Sequence, residues 1–151
     1  MPQESQIPVM RAALLELAGQ TDRALQLLDS VQRRWPELAA AWVARGMIHA
    51  AHERYTEARQ ALETAVSLGA HSPEALSHFA DSILRSAPTR TTEAESAIRQ
   101  ALRLAPHDPW IQNLAAQVRK DTAATPGRPA EAVGTPSDPR RLFQSRPPRD
   151  W

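Results

Sequence analysis

Apolar residues recur every three or four positions along the first 120 residues, with polar and charged residues between them. This spacing places the apolar side chains on one face of an α-helix. Nowhere do apolar and polar residues alternate as in a half-buried strand, and Asn-Gly and Asp-Gly turns are absent. The pattern therefore predicts an all-α protein. The helices are expected at about 8–18, 21–34, 37–51, 55–68, 73–86, 92–104 and 109–120.

Prolines mark the starts of several predicted helices. Proline is favoured in the first helical turn because the N–H that it lacks would have no partner there. Pro36, Pro73 and Pro109 are therefore placed at helix starts. Ser72 and Asp108 precede the last two, and their side-chain oxygens can accept hydrogen bonds from free backbone N–H groups.

A set of four positions occurs three times along the chain. The second set follows the first after 34 residues, and the third follows the second after 36 residues. The sets are Ala24, Leu28, Val31, Pro36; Ala58, Leu62, Ala65, Ala70; and Ala94, Ile98, Ala101, Pro106. Such a period is typical of stacked helical pairs, which bury their apolar faces against neighbouring pairs. We expect a domain over 5–120, with repeats at about 5–38, 39–72 and 73–108 and a capping helix at 109–120.

The middle unit resembles the tetratricopeptide repeat (TPR) family, whose unit is a helix–turn–helix of about 34 residues. Trp42 and Gly46 stand where the first helix of that family carries a large apolar and a small residue. Arg45 and His49 depart from the pattern, since the family prefers leucine and tyrosine there. The resemblance covers about residues 5–120 and implies a right-handed solenoid of three helical hairpins.

The resemblance also implies a partner-binding groove along the first helix of each pair. The register assigns to it Val9, Ala13, Glu16, Ala40, Val43, Ala44, Met47, Ser77, His78, Asp81 and Arg85. We expect this groove to bind an apolar or amphipathic segment of another protein, with His78 or Arg85 meeting an acidic group. Related adaptor domains clamp a terminal carboxylate with lysine and asparagine, and neither residue stands at the matching positions here.

Charge and composition limit the partners, the chemistry and the location expected for this protein. Residues 1–120 carry 13 basic and 13 acidic side chains, so no nucleic-acid partner is expected. The absence of cysteine excludes disulfides and thiol nucleophiles. The N-terminus lacks the features of a signal peptide, and the longest apolar stretch is too short to span a membrane, so we expect a cytoplasmic protein. Only one of the 18 basic residues is lysine, which is typical of a GC-rich genome and favours a bacterial source.

No set of side chains predicts catalysis. His49, His52 and Glu53 lie within one helical turn, but a third metal ligand on the same face is missing. We therefore expect a part-buried structural His49 and a solvated His52. A glycine-rich phosphate loop and a Gly-x-Ser-x-Gly motif are both absent. The sequence predicts no enzyme activity, no metal and no cofactor.

Residues 121–151 differ from the rest of the chain. Six of the 13 prolines lie in this segment. It contains few apolar side chains whose burial could offset the conformational entropy that is lost when a segment becomes ordered. We expect a disordered tail with candidate contact residues Arg140, Arg141, Leu142, Phe143 and Trp151.

Three functions remain open from the sequence. The chain is expected to be an adaptor that holds a partner in its groove. It could instead be a structural subunit of a larger assembly, with its tail ordered on a neighbour. A third alternative is a regulatory TPR segment of a larger enzyme.

Overall fold

The computed structural model describes residues 2–123, which form seven α-helices and one short 3-10 helix and contain no strand. The α-helices are α1 (Pro2–Leu17), α2 (Thr21–Arg34), α3 (Ala39–Ala51), α4 (Tyr55–Ser67), α5 (Pro73–Ser86), α6 (Thr91–Leu104) and α7 (Pro109–Ala123). The 3-10 helix, Pro88–Arg90, precedes α6. The all-α prediction is confirmed for this part of the chain. The five tail residues named above lie outside it, so their role and the tail boundary stay predictions.

Two helix starts differ from the prediction by two residues or more. Helix α1 begins at Pro2, six residues early, and Pro8 lies inside it. A proline there removes one backbone hydrogen bond, and Ser5, in the turn before it, is buried. Helix α3 begins at Ala39, because Pro36 lies in a turn where its carbonyl accepts a hydrogen bond from Trp42 Nε1 at 3.1 Å.

The helices pack as three successive hairpins. Helix α1 packs on α2, α3 on α4, and α5 on α6. The second helix of each pair also packs on the first helix of the next, so α2 contacts α3 and α4 contacts α5. Contacts of α3 with both α1 and α5 align the first helices of the pairs. This is the order of packing that the repeat predicts.

Two hydrophobic cores fill the stack. The first core contains Ala12, Ala24, Leu28, Val31, Ala41 and Ile48, from α1 to α3. The second core is built by α4 to α7 and includes Leu62, Leu76, Phe79, Ile83, Ile98, Ile111, Leu114 and Val118. The recurring small residues Ala24, Ala58 and Ala94 are all fully buried, as their position in the repeat predicts.

Gly46 allows α3 and α4 to approach closely. A Cβ atom at this position would lie 2.4 Å from Cγ of Leu62, a side chain that is itself fully buried. Any larger residue would therefore have to displace Leu62. Since Leu62 belongs to the second core and α3 contributes Ala41 and Ile48 to the first, this contact joins the two cores.

Asp108 caps the start of α7. Its Oδ1 accepts hydrogen bonds from the backbone N–H groups of Trp110 at 2.9 Å and Ile111 at 3.1 Å. These N–H groups have no partner inside the helix, so Asp108→Ala is expected to lower the free energy of unfolding by about 1–2 kcal/mol. Urea denaturation measures the change. Asp108→Asn is the control because it keeps a side-chain oxygen, and an equal loss in both variants would contradict the capping role.

Candidate binding groove

A large apolar cavity of about 750 Å³ opens between α1, α3 and the turn that joins α4 to α5. Its lining residues are Ala13, Glu16, Leu17, Ala39, Ala40, Val43, Ala44, Met47, Ile48, Gly69, Ala70, His71 and Ser72. Six of the eleven residues assigned to the groove from sequence are among them: Ala13, Glu16, Ala40, Val43, Ala44 and Met47. We call this cavity the α1–α3 groove.

Helix α3 forms the floor of the α1–α3 groove. Residues 40, 43, 44 and 47 share one helical face, because three or four residues complete about one turn. Ala40 and Ala44 are small and keep the floor low, while Met47 stands 38% exposed within it. Methionine has a flexible and polarisable side chain, so it can adapt to apolar ligands of different shape. The floor is therefore suited to apolar side chains.

The turn between α4 and α5 forms a second wall, which the sequence analysis did not assign. Gly69 has a positive φ of 98° and ends α4 in a left-handed conformation that favours glycine. Three residues later Ser72 starts α5, and its side chain accepts a hydrogen bond from Ala75 N at 3.2 Å. The short turn places Ala70 and His71 at the groove. Gly69 and the pair Ser72-Pro73 are residue types that favour a tight turn, so this turn could have been recognised from the sequence.

Glu16 contributes a negative charge to the groove. Its Oε1 accepts a hydrogen bond from His52 Nε2 at 2.7 Å, and Thr21 Oγ1 lies 3.2 Å from the same nitrogen. Burial raises the pKa of Glu16, but its hydrogen bonds with Thr21 and His52 outweigh that effect, so the pKa lies below the ordinary value. The carboxyl group is therefore ionised at neutral pH. No lysine or arginine is among the residues that line the groove.

The four groove candidates from the third repeat do not line this cavity. Ser77 is buried, and its hydroxyl donates to the carbonyl groups of Pro73 at 2.6 Å and Glu74 at 3.1 Å. A helical serine that bonds to its own preceding turn is turned away from a ligand. The assignment from sequence used repeat position alone, without the packing of the third pair.

The other three third-repeat candidates are held by neighbouring side chains. His78 is half-buried with its ring 4.6 Å from that of Trp110, and burial lowers its pKa. Arg85 Nε donates to Asp81 Oδ1 at 3.0 Å, and its guanidinium lies 4.9 Å from the centre of the Tyr55 ring. The predicted contact of His78 or Arg85 with an acidic ligand group therefore does not belong to the α1–α3 groove.

Val9 is the remaining predicted groove residue. It is half-buried and packs against the first core, together with partly buried residues such as Leu15 and Ala44. It does not line the cavity. Leu17, one turn beyond Ala13, takes the corresponding place on α1 and is 84% exposed. The early start of α1 does not change this register; the side chain of Val9 simply faces the core.

A second cavity of about 220 Å³ lies between α3 and α4 and is polar. Arg45 and His49, the two departures from the family pattern, line it together with Trp42 and Glu57. Arg45 forms an ion pair with Asp29, and burial lowers the pKa of both Arg45 and His49. Polar residues at positions that are usually apolar therefore leave this part of the hairpin less tightly packed.

Among residues 2–123, no group of three or more histidine and carboxylate side chains is placed to hold a metal ion. His52 forms a hydrogen bond with Glu16 and does not join His49 at a metal site. Because Glu16 and His52 are 36 residues apart, this contact could not be predicted from the sequence. Within the same range, none of the helices has the length and hydropathy needed to cross a bilayer.

Comparison with known proteins places the fold. Residues 9–73 match the model of the tetratricopeptide repeat family. No curated protein sequence matches the chain. The first TPR of Spaghetti (RPAP3), solved with the HSP90 peptide SRMEEVD, superposes with a TM-score of 0.71 and 16% identity, covering 80% of this chain and 94% of that one.

Two further solved structures share the fold. YrrB, a TPR protein described as having an unusual peptide-binding site, has a TM-score of 0.71 and 18% identity, with 78% of this chain and 59% of that one covered. The Arabidopsis OM64 TPR domain has a TM-score of 0.68 and 16% identity over 78% of this chain and 96% of that one. Residues 9–73 thus match the tetratricopeptide repeat family, and the stacked hairpins of the described residues share the fold of TPR domains.

Proposed function

We propose that this protein is an adaptor that binds an apolar or amphipathic segment of another protein in the α1–α3 groove. The observation that carries the proposal is the open apolar cavity of about 750 Å³ floored by Ala40, Ala44 and Met47. Soluble proteins seldom expose a continuous apolar surface of this kind unless it binds something. An interaction module that is not an enzyme, acts in the cytoplasm and does not contact nucleic acid is part of the same proposal.

Peptide binding by related folds supports this function. The Spaghetti domain was solved with an HSP90 peptide, and the second TPR domain of human RPAP3 with the HSP70 peptide SGPTIEEVD. Both of these peptides end in glutamate, valine and aspartate. The fold can therefore hold a peptide, and the lining residues decide which peptide is held.

The lining of the α1–α3 groove favours a neutral or basic segment. Glu16 supplies a negative charge, and neither lysine nor arginine is available in the groove to pair with a carboxylate. An acidic peptide would have to desolvate its carboxylates without a lysine or arginine to pair with them, which is costly. We therefore replace the acidic contact predicted from sequence with an apolar segment that carries no carboxylate at the floor.

A substitution on the floor tests the proposed function. A random-peptide phage library is panned on the full chain, and the affinity of an enriched peptide is measured by calorimetry. Met47→Glu is expected to weaken binding at least tenfold, because it puts a second charge into the apolar floor. Leu104→Glu is the matched control, since Leu104 is 56% exposed on α6, away from the groove.

The outcome discriminates between binding surfaces. Enriched peptides rich in apolar residues, together with no measurable binding of SRMEEVD, are the expected result. Equal affinity for the parent and Met47→Glu would contradict the groove assignment. Loss of binding in Leu142→Ala/Phe143→Ala alone would favour the alternative in which the tail makes the main contact, as in a subunit ordered on its neighbour.

A further inference from the structure

Helix α1 carries apolar residues on two opposite faces. Ala12 and Leu15 face the first core. On the other face, the exposed fractions are 66% for Ile7, 66% for Met10, 64% for Leu14 and 84% for Leu17. We call these four residues the α1 stripe. A helix that is apolar all round is normally buried all round, and no other helix among the described residues covers this face.

Helix α7, the last helix among the described residues, differs from α1 in the face that it turns away from the core. Helix α7 buries Ile111, Leu114 and Val118 in the second core. Its outer face exposes Gln112, Asn113 and Gln117. Polar outer faces of this kind keep the terminal helices of repeat proteins in water. Helix α1 lacks such a face, so its apolar stripe is unlike the surface of a helix that stays in solvent.

We propose that the α1 stripe binds the α1 stripe of a second copy of this chain, with the two helices antiparallel about a two-fold axis. The stripe residues are spaced by three, four and three positions. This spacing reads the same in both directions about position 12. A two-fold axis there sets Ile7 against Leu17 of the second copy and Met10 against Leu14 of the second copy. The stripe is thus complementary to itself, as an isologous contact requires.

Charge supports a copy as the occupant. Within residues 6–18 the charged side chains are Arg11 and Glu16. Glu16 lies on the groove side and pairs with His52. Arg11 lies at the margin of the stripe, about 80° around the helix from its centre at 100° per residue, where its charge can remain in water. The stripe itself is neutral, so it offers no charge for recognising an oppositely charged partner and matches another neutral stripe.

The size of the stripe predicts a reversible dimer. The four residues span about 15 Å of helix at 1.5 Å per residue. Two such faces bury a surface at the lower end of specific interfaces, which begin at about 1,000–1,200 Å². The dimer is therefore expected to form as concentration rises and to dissociate on dilution. Leu17 belongs both to the stripe and to the lining of the α1–α3 groove, whereas Ile7, Met10 and Leu14 do not line the groove. Substitutions at Ile7 or Leu14 therefore test the dimer without changing a groove residue.

Analytical ultracentrifugation of the full chain over a range of concentrations tests the inference. The parent is expected to shift from monomer to dimer, and Leu14→Glu to raise the dimer dissociation constant at least tenfold. Leu104→Glu, an equally exposed leucine on α6, is expected to leave it unchanged. A parent that stays monomeric at the highest concentration, or a Leu14→Glu variant that still dimerises equally, would overturn the proposal. Ile7→Glu replaces Leu14→Glu if circular dichroism shows that the latter is misfolded.

Disulfide crosslinking tests the antiparallel pairing. The chain has no cysteine, so Met10→Cys and Leu14→Cys each introduce a single thiol. Two cysteines crosslink when their Cα atoms lie within about 7 Å, which the two-fold pairing provides between positions 10 and 14. A mixture of the two variants is expected to give more crosslinked dimer than either variant alone. A yield from the mixture no higher than from the single variants would overturn the antiparallel pairing.

Discussion

Replacing Ala58 with arginine is expected to lower the free energy of unfolding by about 3–5 kcal/mol. Ala58 is fully buried in α4, at the position of closest approach that recurs in each repeat. Arginine adds a long side chain where no space exists, and its guanidinium would lose water without gaining an acidic partner. Since small domains unfold at a cost of about 5–15 kcal/mol, much of the variant is expected to be unfolded in mild denaturant. Urea denaturation followed by far-ultraviolet circular dichroism measures the loss.

Ala51→Arg is the matched control for this prediction. Ala51 is exposed at the last position of α3, just before the turn that leads to α4. Arginine has a high helix propensity and is favourable near the C-terminal end of a helix, so no loss of stability is expected. An Ala58→Arg variant with the same urea midpoint as Ala51→Arg would contradict the packing of α4 described above.

Gly46→Val is expected to cost about 3 kcal/mol of unfolding free energy, even though valine is intrinsically a better helix former than glycine. The Cβ alone would lie 2.4 Å from Cγ of Leu62. Leu62 is fully buried, so it cannot turn aside without entering the second core. The clash therefore outweighs the gain in helix propensity. Thermal or urea unfolding measures the change.

The double variant Gly46→Val/Leu62→Ala separates a local clash from a general effect of valine. Leu62→Ala alone is expected to cost about 2–5 kcal/mol because it leaves a cavity. Valine adds three carbon atoms at position 46 and the second substitution removes three, so the pair nearly conserves volume, which cores tolerate best. The double variant should be more stable than the sum of the single losses predicts. Strict additivity would show that residues 46 and 62 do not compete for the same space.

The repeat register could be predicted from sequence because it depends on local periodicity. Ala24, Ala58 and Ala94 recur at fixed spacing, and each proved to be fully buried. The start of α1 was placed six residues too late, and Pro8 lies inside the helix. Helix ends are the least certain part of a prediction from sequence, and the burial of Ser5 depends on tertiary packing, which local periodicity does not show.

The groove was only partly predictable for the same reason. Residues 40, 43, 44 and 47 lie on one face of α3, which their spacing shows directly. The wall from the α4–α5 turn and the contact between Glu16 and His52 join segments distant in sequence. Ser77 follows the repeat position but is held by the carbonyl groups of its own helix. Such contacts depend on how the pairs stack, which periodicity does not specify.

The division of the interior into two cores has a consequence for how this protein opens. Helix α3 contributes Ala41 and Ile48 to one core, while Gly46 on the same helix touches Leu62 of the other. Proteins open in cooperative blocks, and repeat arrays unfold according to the coupling between neighbouring blocks. Here that coupling runs through a single shared helix. A segment bound along α3 would therefore raise the free energy needed to open either block. Binding in the groove would thus make the two blocks unfold more cooperatively.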